Sequence, residues 1–169
     1  MQSFRVIKPT AALVPYVRHY WVLSDDALAP VSERTLPVGC VQMVFHRGRQ
    51  LFSLTEGRLQ PSSFISGQAF GYSDVESTGM LEMIVVVFQP FAAKAFLHMP
   101  VSEFRGMNVN TEETGDPLLV DLGRRIADMP DRVACIRLIE EFLLSRLYAF
   151  PEYNLKRVST VLEAVNLHP

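Results

Sequence analysis

The side chains best suited to chemistry lie on one short stretch of chain, from Cys40 to His46. If this stretch is a β-strand, alternate residues share a face, so Cys40, Gln42 and His46 point the same way. A thiol, an amide and an imidazole on one face could bind a small molecule, and imidazole is also a common metal ligand. The opposite face carries only apolar residues, namely Val41, Met43 and Phe45. This pattern is typical of a strand that packs on a core with one face and lines a pocket or meets solvent with the other.

Patterns for other chemistries are weak. The four histidines, His19, His46, His98 and His168, are scattered, and no His-x-His pair places two imidazoles on one strand face. The chain has no Gly-x-Ser-x-Gly nucleophile motif and no glycine-rich phosphate loop. Its carboxylates cluster only as adjacent pairs, whose side chains do not converge on a helix. We therefore expect no catalytic residue, no metal and no cofactor, and we expect that the protein is not an enzyme.

Aromatic residues are the second group that could form a site. Tyr20 and Trp21 are adjacent in one predicted strand, and Phe70 lies near the end of another. Core packing explains most aromatic residues in strands, but some of these could wall an apolar small-molecule pocket. The candidate ligand-binding residues are thus Tyr20, Trp21, Cys40, Gln42, His46 and Phe70.

Length and charge limit the partners of the chain. Its 169 residues are most simply one domain, long enough to bury a core without disulfides or metals. Sixteen Lys and Arg against eighteen Asp and Glu leave no basic excess for a phosphate backbone. We therefore expect that the chain itself binds neither nucleic acid nor an anionic membrane through bulk charge.

The cysteines and the apolar stretches predict a cytoplasmic protein. Cys40 and Cys135 are far apart and show no metal-ligand spacing, so we interpret them as buried free thiols in a reducing compartment. The longest strongly apolar stretch, 84–88, is far shorter than the ~20 residues that a bilayer span requires.

The elements that must position these side chains change in character at Pro90. Up to that residue, segments rich in β-branched and aromatic residues predict short strands at 16–23, 40–46, 50–54, 63–72 and 81–89. Beyond it, apolar periodicity and Asp caps predict helices over 91–99, 117–129, 131–147 and 155–167. The expected fold is therefore α+β: an antiparallel, cupin-like barrel or sandwich followed by about three to four helices.

The helix predicted over 131–147 has an apolar stripe that is wider than a solvent-facing helix needs. Two interpretations stay open: burial against the barrel and neighbouring helices, or partial exposure for a homodimer. The residues that would form such a dimer interface are Ile136, Ile139, Leu143 and Leu147.

Five short motifs follow one another along the chain. They are Leu13-x-Pro15-Tyr16-Val17-x-x-Tyr20-Trp21, Leu36-Pro37-x-Gly39-x-x-x-x-Val44-Phe45, Ser66-Gly67-Gln68, Val87-Phe88-x-Pro90 and Met99-Pro100-x-x-Glu103-Phe104. A further pattern follows in a predicted helix, with Arg132, Ile136, Leu138, Glu140 and Leu143. From about residue 7 to residue 167, this succession resembles the N-terminal regulatory domain of AraC/XylS-type transcriptional regulators.

The resemblance implies a role in gene regulation. Residues 1–153 would be a sensor domain that binds an unknown small-molecule effector and forms a homodimer. Residues 154–169 would begin a linker helix towards a helix-turn-helix domain absent from this chain, through which alone the full-length regulator would bind DNA. An effector would then act by changing dimer geometry or the docking of the DNA-binding part.

Two alternatives remain beside this interpretation. The face that carries Cys40, Gln42 and His46 could belong to a small cupin-like metal-binding enzyme. The chain could also be an interaction domain that senses no ligand, in which case side chains would fill the interior of the barrel.

Overall fold

The computed structural model describes residues 1–149 and five helical positions beyond them, 156, 157, 160, 163 and 164. Across this part of the chain, ten strands form two antiparallel sheets, and two α-helices follow them. The expected α+β class is confirmed. No helix among the described residues combines the length and apolar character needed to cross a bilayer.

The strands come first along the chain and the helices last. The strands are β1 (Ser3–Ile7), β2 (Val17–Asp25), β3 (Ser32–Thr35), β4 (Gln42–His46), β5 (Phe52–Ser53), β6 (Arg58–Leu59), β7 (Ser63–Ser66), β8 (Ser73–Glu76), β9 (Leu81–Phe88) and β10 (Asn108–Asn110). The helices are α1 (Pro117–Asp128) and α2 (Arg132–Ala149). One sheet has the order β1-β2-β9-β4-β7-β10, and the other has the order β3-β8-β5-β6.

The six-stranded sheet is covered on both faces. In its central strand β9, Ile84 and Val86 pack in the core formed with α1 and α2. Their neighbours Val85 and Val87 pack in a second cluster, towards the four-stranded sheet. All four side chains are at most 1% exposed. The prediction that this strand is central and buried on both faces is confirmed. The helices, the large sheet and the small sheet form three layers in that order.

The two faces of β4 also match the prediction. Met43 and Phe45 join the helix-side core, whereas Gln42 and Val44 face the four-stranded sheet. The apolar face therefore packs on the helices, and the half-polar face lines the space between the sheets.

Both helices begin at the Asp residues that the sequence indicates. Asp116 accepts hydrogen bonds from the backbone nitrogens of Leu118 (3.2 Å) and Leu119 (3.3 Å), and Pro117 occupies the first helical position. Asp131 caps α2 through the backbone nitrogens of Val133 (3.2 Å) and Ala134 (3.1 Å). These bonds satisfy backbone donors that have no partner inside a helix.

A buried ion pair joins the last turn of α2 to the start of α1. Arg146 Nη2 lies 2.7 Å and 2.8 Å from the two carboxylate oxygens of Asp116. The guanidinium of Arg146 also sits over the ring of Phe142 and contacts His98. Burial alone would raise the pKa of Asp116, but the bonds from Arg146 and from the Leu119 amide outweigh it and hold that pKa below its usual value.

The number of helices differs from the expectation. The segment predicted as a helix over 91–99 forms only a 3₁₀ turn at 92–95, because Phe91 adopts a left-handed backbone (φ 65°) and Pro100 closes the segment. Most of the helix predicted over 155–167 lies outside the described residues. The described chain therefore contains two α-helices rather than three to four.

The apolar stripe of α2 is core, which corrects its assignment to a dimer interface. Ile139 and Leu143 are fully buried, Leu147 is 8% exposed, and Ile136 packs against them half-buried. The physical reason is that α1 and the large sheet cover this side of α2 within the same chain. Ile139, Leu143 and Leu147 therefore present almost no surface to a second copy, and only Ile136 stays partly exposed.

Replacing Leu143 by Asp should unfold the protein rather than dissociate an assembly. A carboxylate at this fully buried position would lose its hydration in an apolar core, so we expect a loss of more than about 4 kcal/mol in the free energy of unfolding. The control is Val133→Asp on the same helix, where the side chain is 65% exposed, and it should change stability by less than about 0.5 kcal/mol. Urea denaturation of both variants measures this, and a folded, dissociated L143D protein would contradict it.

The strand predicted over 63–72 stops early, since β7 ends at Ser66 and the chain then passes at Gly67 against the backbone of Phe104. A Cβ atom at Gly67 would lie 1.6 Å from the backbone oxygen of Phe104, whereas one at Gly71 would meet nothing within 4 Å. Gly67→Ala should therefore cost about 3 kcal/mol or more, since the obstacle is backbone, and Gly71→Ala should cost less than about 1 kcal/mol. Thermal denaturation of the two variants compares them, and equal melting temperatures would refute this reading of the bend.

Candidate functional site

The two sheets enclose a cavity of about 430 Å³. Its wall on the large sheet is mostly apolar and includes Trp21, Val44 and Val85, and its wall on the small sheet includes Val75. The volume falls within the range of small-molecule sites, which are typically mostly apolar with a few polar groups. The interior is therefore not filled by side chains.

A row of polar side chains crosses one end of the cavity. Gln42 on β4 is the register partner of Ser66 on β7, and Ser66 is the partner of Asn108 on β10. All three line the cavity. Asn108 donates a hydrogen bond to Glu56 Oε1 (3.4 Å), whereas the side chains of Gln42 and Ser66 bond no other described residue. This polar row thus offers amide and hydroxyl groups whose hydrogen-bonding capacity is unused.

Exposed apolar side chains line the cavity near the polar row. They come from the loops that precede β4 and follow β7, and they include Leu36 (75% exposed) and Phe70 (72% exposed). Tyr72 belongs to the same rim, and the guanidinium of Arg34 lies 4.0 Å from its ring centroid. Arg34 is in turn bound by both carboxylate oxygens of Asp74, and these bonds lower the pKa of that carboxyl. The rim therefore combines mostly apolar contacts with a neutralised ion pair.

Of the six predicted ligand-binding residues, four line the cavity: Trp21, Cys40, Gln42 and Phe70. Cys40 and Cys135 are both buried free thiols, as predicted. Burial also raises the pKa of Cys135.

Tyr20 does not reach the cavity, which corrects its assignment to the site. Successive residues of a strand face opposite sides of the sheet, so Trp21 faces the cavity and Tyr20 faces the helices. Tyr20 is fully buried, and its hydroxyl donates to Glu140 Oε1 (3.2 Å), which also accepts from the Thr10 backbone nitrogen (2.9 Å). Burial and the adjacent Glu140 raise the pKa of Tyr20 far above its usual value. Tyr20 therefore fastens the large sheet to α2.

His46 shares the face of Gln42 but does not line the cavity, which is a second correction. It lies at the other end of β4, where its Nε2 is 3.1 Å from Gln60 Oε1 and its ring packs against Phe64. Burial lowers the pKa of His46 to about 4, although the hydrogen bond that the ring donates to Gln60 Oε1 opposes this shift. The ring is therefore neutral near pH 7, and its Nδ1 has no hydrogen-bond partner among the described residues.

The geometry also bears on the residues that a metal would need. Among the described residues, no group of three His, Cys, Asp or Glu side chains could hold a metal ion. Cys40 and Gln42 reach the cavity, but the ring of His46 lies at the far end of β4 and is bonded to Gln60.

Sequence reasoning missed two residues of the polar row as ligand-binding candidates, Ser66 and Asn108. Ser66 stood only in a motif, and Asn108 belongs to a three-residue strand without a β-type pattern. Their position depends on which strands pair, and no local signal in the sequence encodes that pairing.

The buried His46 should make the protein less stable in mild acid. The unfolded chain protonates this histidine near pH 6.5 and the folded chain only near pH 4, so its contribution to stability is complete above 6.5 and is lost as the pH falls through this window. Between pH 7 and pH 5, this effect should lower the free energy of unfolding of the wild type by about 2 kcal/mol.

The test is urea denaturation of the wild type and His46→Gln at both pH values. Between these pH values, the free energy of unfolding of the variant should fall much less. Some pH dependence should remain, because burial and Arg18 also lower the pKa of His19. His98→Gln, at an exposed histidine that contacts Arg146, is the control: its overall stability can differ from that of the wild type, but the loss of stability between the two pH values should be the same. An unchanged pH dependence in His46→Gln would contradict this account.

Comparison with known proteins places the chain in a family. Residues 5–110, more than half of the chain, match the model of DUF6597, a domain of unknown function. No curated protein matches it. A solved structure described as "Crystal Structure of CoII HppE in Complex with Tris Buffer" is similar over 52% of this chain and 53% of that chain, with 10% identity and a TM-score of 0.38. The chain thus spans about half of that structure. On the match over residues 5–110, the chain belongs to the DUF6597 family.

Proposed function

We propose that this chain is the effector-sensing domain of a bacterial DNA-binding regulator of the AraC/XylS type. The observation that carries the proposal is the 430 Å³ cavity, with unpartnered polar groups at Gln42 and Ser66. A domain built only for structural contact would be expected to fill such a space with side chains, because empty volume costs stability.

The sheet arrangement supports a cupin-like fold within this proposal. Two antiparallel sheets face each other around the cavity, with the large sheet backed by helices. The motif segments that carry the resemblance also have structural positions in this arrangement. Residues of Leu36–Gly39 line the cavity and Ser66 of Ser66–Gln68 belongs to the polar row, while Tyr16 and Phe88 lie in the helix-side core.

The two faces of the large sheet provide a route by which a ligand could act at a distance. A ligand that contacts Val44 or Val85 touches β4 or β9. The neighbouring residues of these two strands point to the opposite face of the sheet, where they pack in the core formed with α1 and α2. Strand β7 contacts α1 closely, since Gly123 of α1 packs against Ser63 of β7. Ser63 Oγ also lies 2.6 Å from Oγ1 of Thr111, which precedes α1. Helix α2 leads towards residues 150–169, where the linker helix is predicted, so a shift of the helix layer would reach the DNA-binding part.

The proposal retains a homodimer and assigns DNA binding to another part of the regulator. A net charge of −2 gives this chain no electrostatic footprint for DNA. A dimer interface must use side chains other than Ile139, Leu143 and Leu147, which are buried in the chain itself.

A panel of small molecules screened by thermal denaturation tests ligand binding. A ligand at 100 times its dissociation constant stabilises the folded chain by about 2.7 kcal/mol, which raises the melting temperature by roughly 5–10 °C. Ser66→Phe places a ring in the cavity and should abolish the shift. Ser62→Phe, at an exposed position outside the cavity, should leave it intact.

The same compound links the cavity to regulation. In the complete regulator it should change operator affinity, measured by fluorescence anisotropy, by about fivefold or more, and Ser66→Phe should remove that effect. The chain alone should not bind the operator. Specific operator binding by this chain, or its conversion of the compound to a product, would overturn the proposal.

A further inference from the structure

We propose that the cavity takes a neutral or singly cationic small molecule with an aromatic or alicyclic body, and that it rejects carboxylates and phosphates. This inference rests on the proposed function, namely that the cavity binds an effector, and it names the chemical class of that effector.

The charged residues that line the cavity all have one sign. Asp25, Glu33 and Glu56 line it, whereas no Lys, Arg or His among the described residues does so. In a chain with sixteen basic and eighteen acidic residues, this one-sidedness is a property of the site and not of the composition.

Two of these three carboxylates lack a basic partner. Glu56 is paired with Arg58 Nε at 2.8 Å, which compensates its charge. Glu33 accepts only the amide of Gln2 (3.5 Å), and Asp25 accepts the backbone nitrogen of Ala27 (3.0 Å). Neither forms an ion pair with a basic side chain in the part of the chain that the structure describes. The potential inside the cavity is therefore negative, although water at these half-exposed or exposed groups screens it.

The cation that stacks on the rim residue Tyr72, Arg34, is already paired with a carboxylate. Arg34 stacks on Tyr72, and two of its three guanidinium nitrogens, Nε and Nη2, donate to Asp74 at 2.8 Å and 3.2 Å. An anionic ligand would have to compete with Asp74 for this side chain. Among the residues that the structure describes, the side-chain donors that line the cavity are all neutral, including Gln42, Ser66 and Asn108, so the charge of such a ligand would be desolvated without a cationic partner.

A cationic or neutral ligand finds several suitable surfaces. Trp21, Phe64, Phe70 and Tyr72 line the cavity, and the faces of aromatic rings attract cations. The stacking of Arg34 on Tyr72 is an example of this interaction within the chain. The polar row supplies carbonyl and hydroxyl oxygens that accept hydrogen bonds from an ammonium or hydroxyl group.

The polar row and one unpaired carboxylate lie at opposite ends of the cavity. Along β9, Gln42 is opposite Val87 and Asp25 is opposite Leu81. Six residues of extended strand separate these positions, about 20 Å. A molecule of modest length can therefore place its ring among the apolar side chains and direct one polar group to an end of the cavity.

Three probes of similar size and shape test the class: 4-phenylbutylamine, 4-phenylbutan-1-ol and 4-phenylbutanoate. Trp21 is the only tryptophan in the chain and lines the cavity, so its fluorescence reports binding directly. We expect the amine and the alcohol to bind, and the carboxylate to bind at least about tenfold more weakly than the amine at pH 7. Raising the salt concentration should narrow this gap.

The double variant Asp25→Asn, Glu33→Gln tests the source of the preference. Compared with the wild type, the double variant should bind the amine more weakly relative to the alcohol, and it should bind the carboxylate more tightly. The control, Glu103→Gln with Glu141→Gln, removes the same total charge at exposed positions outside the cavity and should leave the ratio unchanged.

Three outcomes would overturn the inference: a carboxylate that binds as tightly as the amine, a ratio that the double variant does not change, or no binding by any of the three probes. If a panel compound still raises the melting temperature and loses this effect in Ser66→Phe, the ligand class is wrong and the proposed function stands. If no compound of either set binds, the proposed function fails as well.

Discussion

The structure depends on one constraint: the six-stranded sheet is buried on both faces. Along its central strands, successive side chains therefore alternate between the core beneath the helices and the cavity side. Val85 faces the cavity, and Ile84 and Val86 face the helices. A shift of one residue in register would exchange these sets and place apolar helix-side residues in the cavity. The sheet is thus at once the floor of the candidate site and the base on which α1 and α2 pack.

The two sides of this sheet differ in how they are filled. On the helix side, large side chains such as Phe45, Phe88 and Phe96 are at most 1% exposed. Hydrogen bonds and an ion pair also attach the helices there. Glu140 binds Tyr20, and Arg146 binds Asp116, so both the middle and the end of α2 are fastened. On the other side, the four-stranded sheet has short strands of two to four residues, and a cavity remains. A closely packed helix layer thus lies on one side of the sheet and a cavity on the other. In this arrangement a small ligand in the cavity can shift the helices by acting on the sheet between them.

Much of the fold could be predicted because strong local signals happen to agree with tertiary packing. Continuous apolar character marked β9, and the alternation over 40–46 identified both faces of β4 correctly. The Asp caps located the starts of α1 and α2, since capping needs only residues that are neighbours in sequence. Short strands such as β6 and β10 were not predicted, because two or three residues carry no periodic pattern and exist as strands only through their partners.

The sequence by itself determined the class of the fold, the free and buried cysteines, and the placement in the cavity of four of the six predicted ligand-binding residues, because these follow from composition and from the alternation of side chains along the strands. Only the tertiary structure decided the rest. It placed Tyr20 behind the sheet, bonded His46 to Gln60, turned the stripe of α2 into core, and aligned Gln42, Ser66 and Asn108 in one row. The physical reason is that register and layer packing join residues far apart in the chain, and no local pattern records which of them will meet.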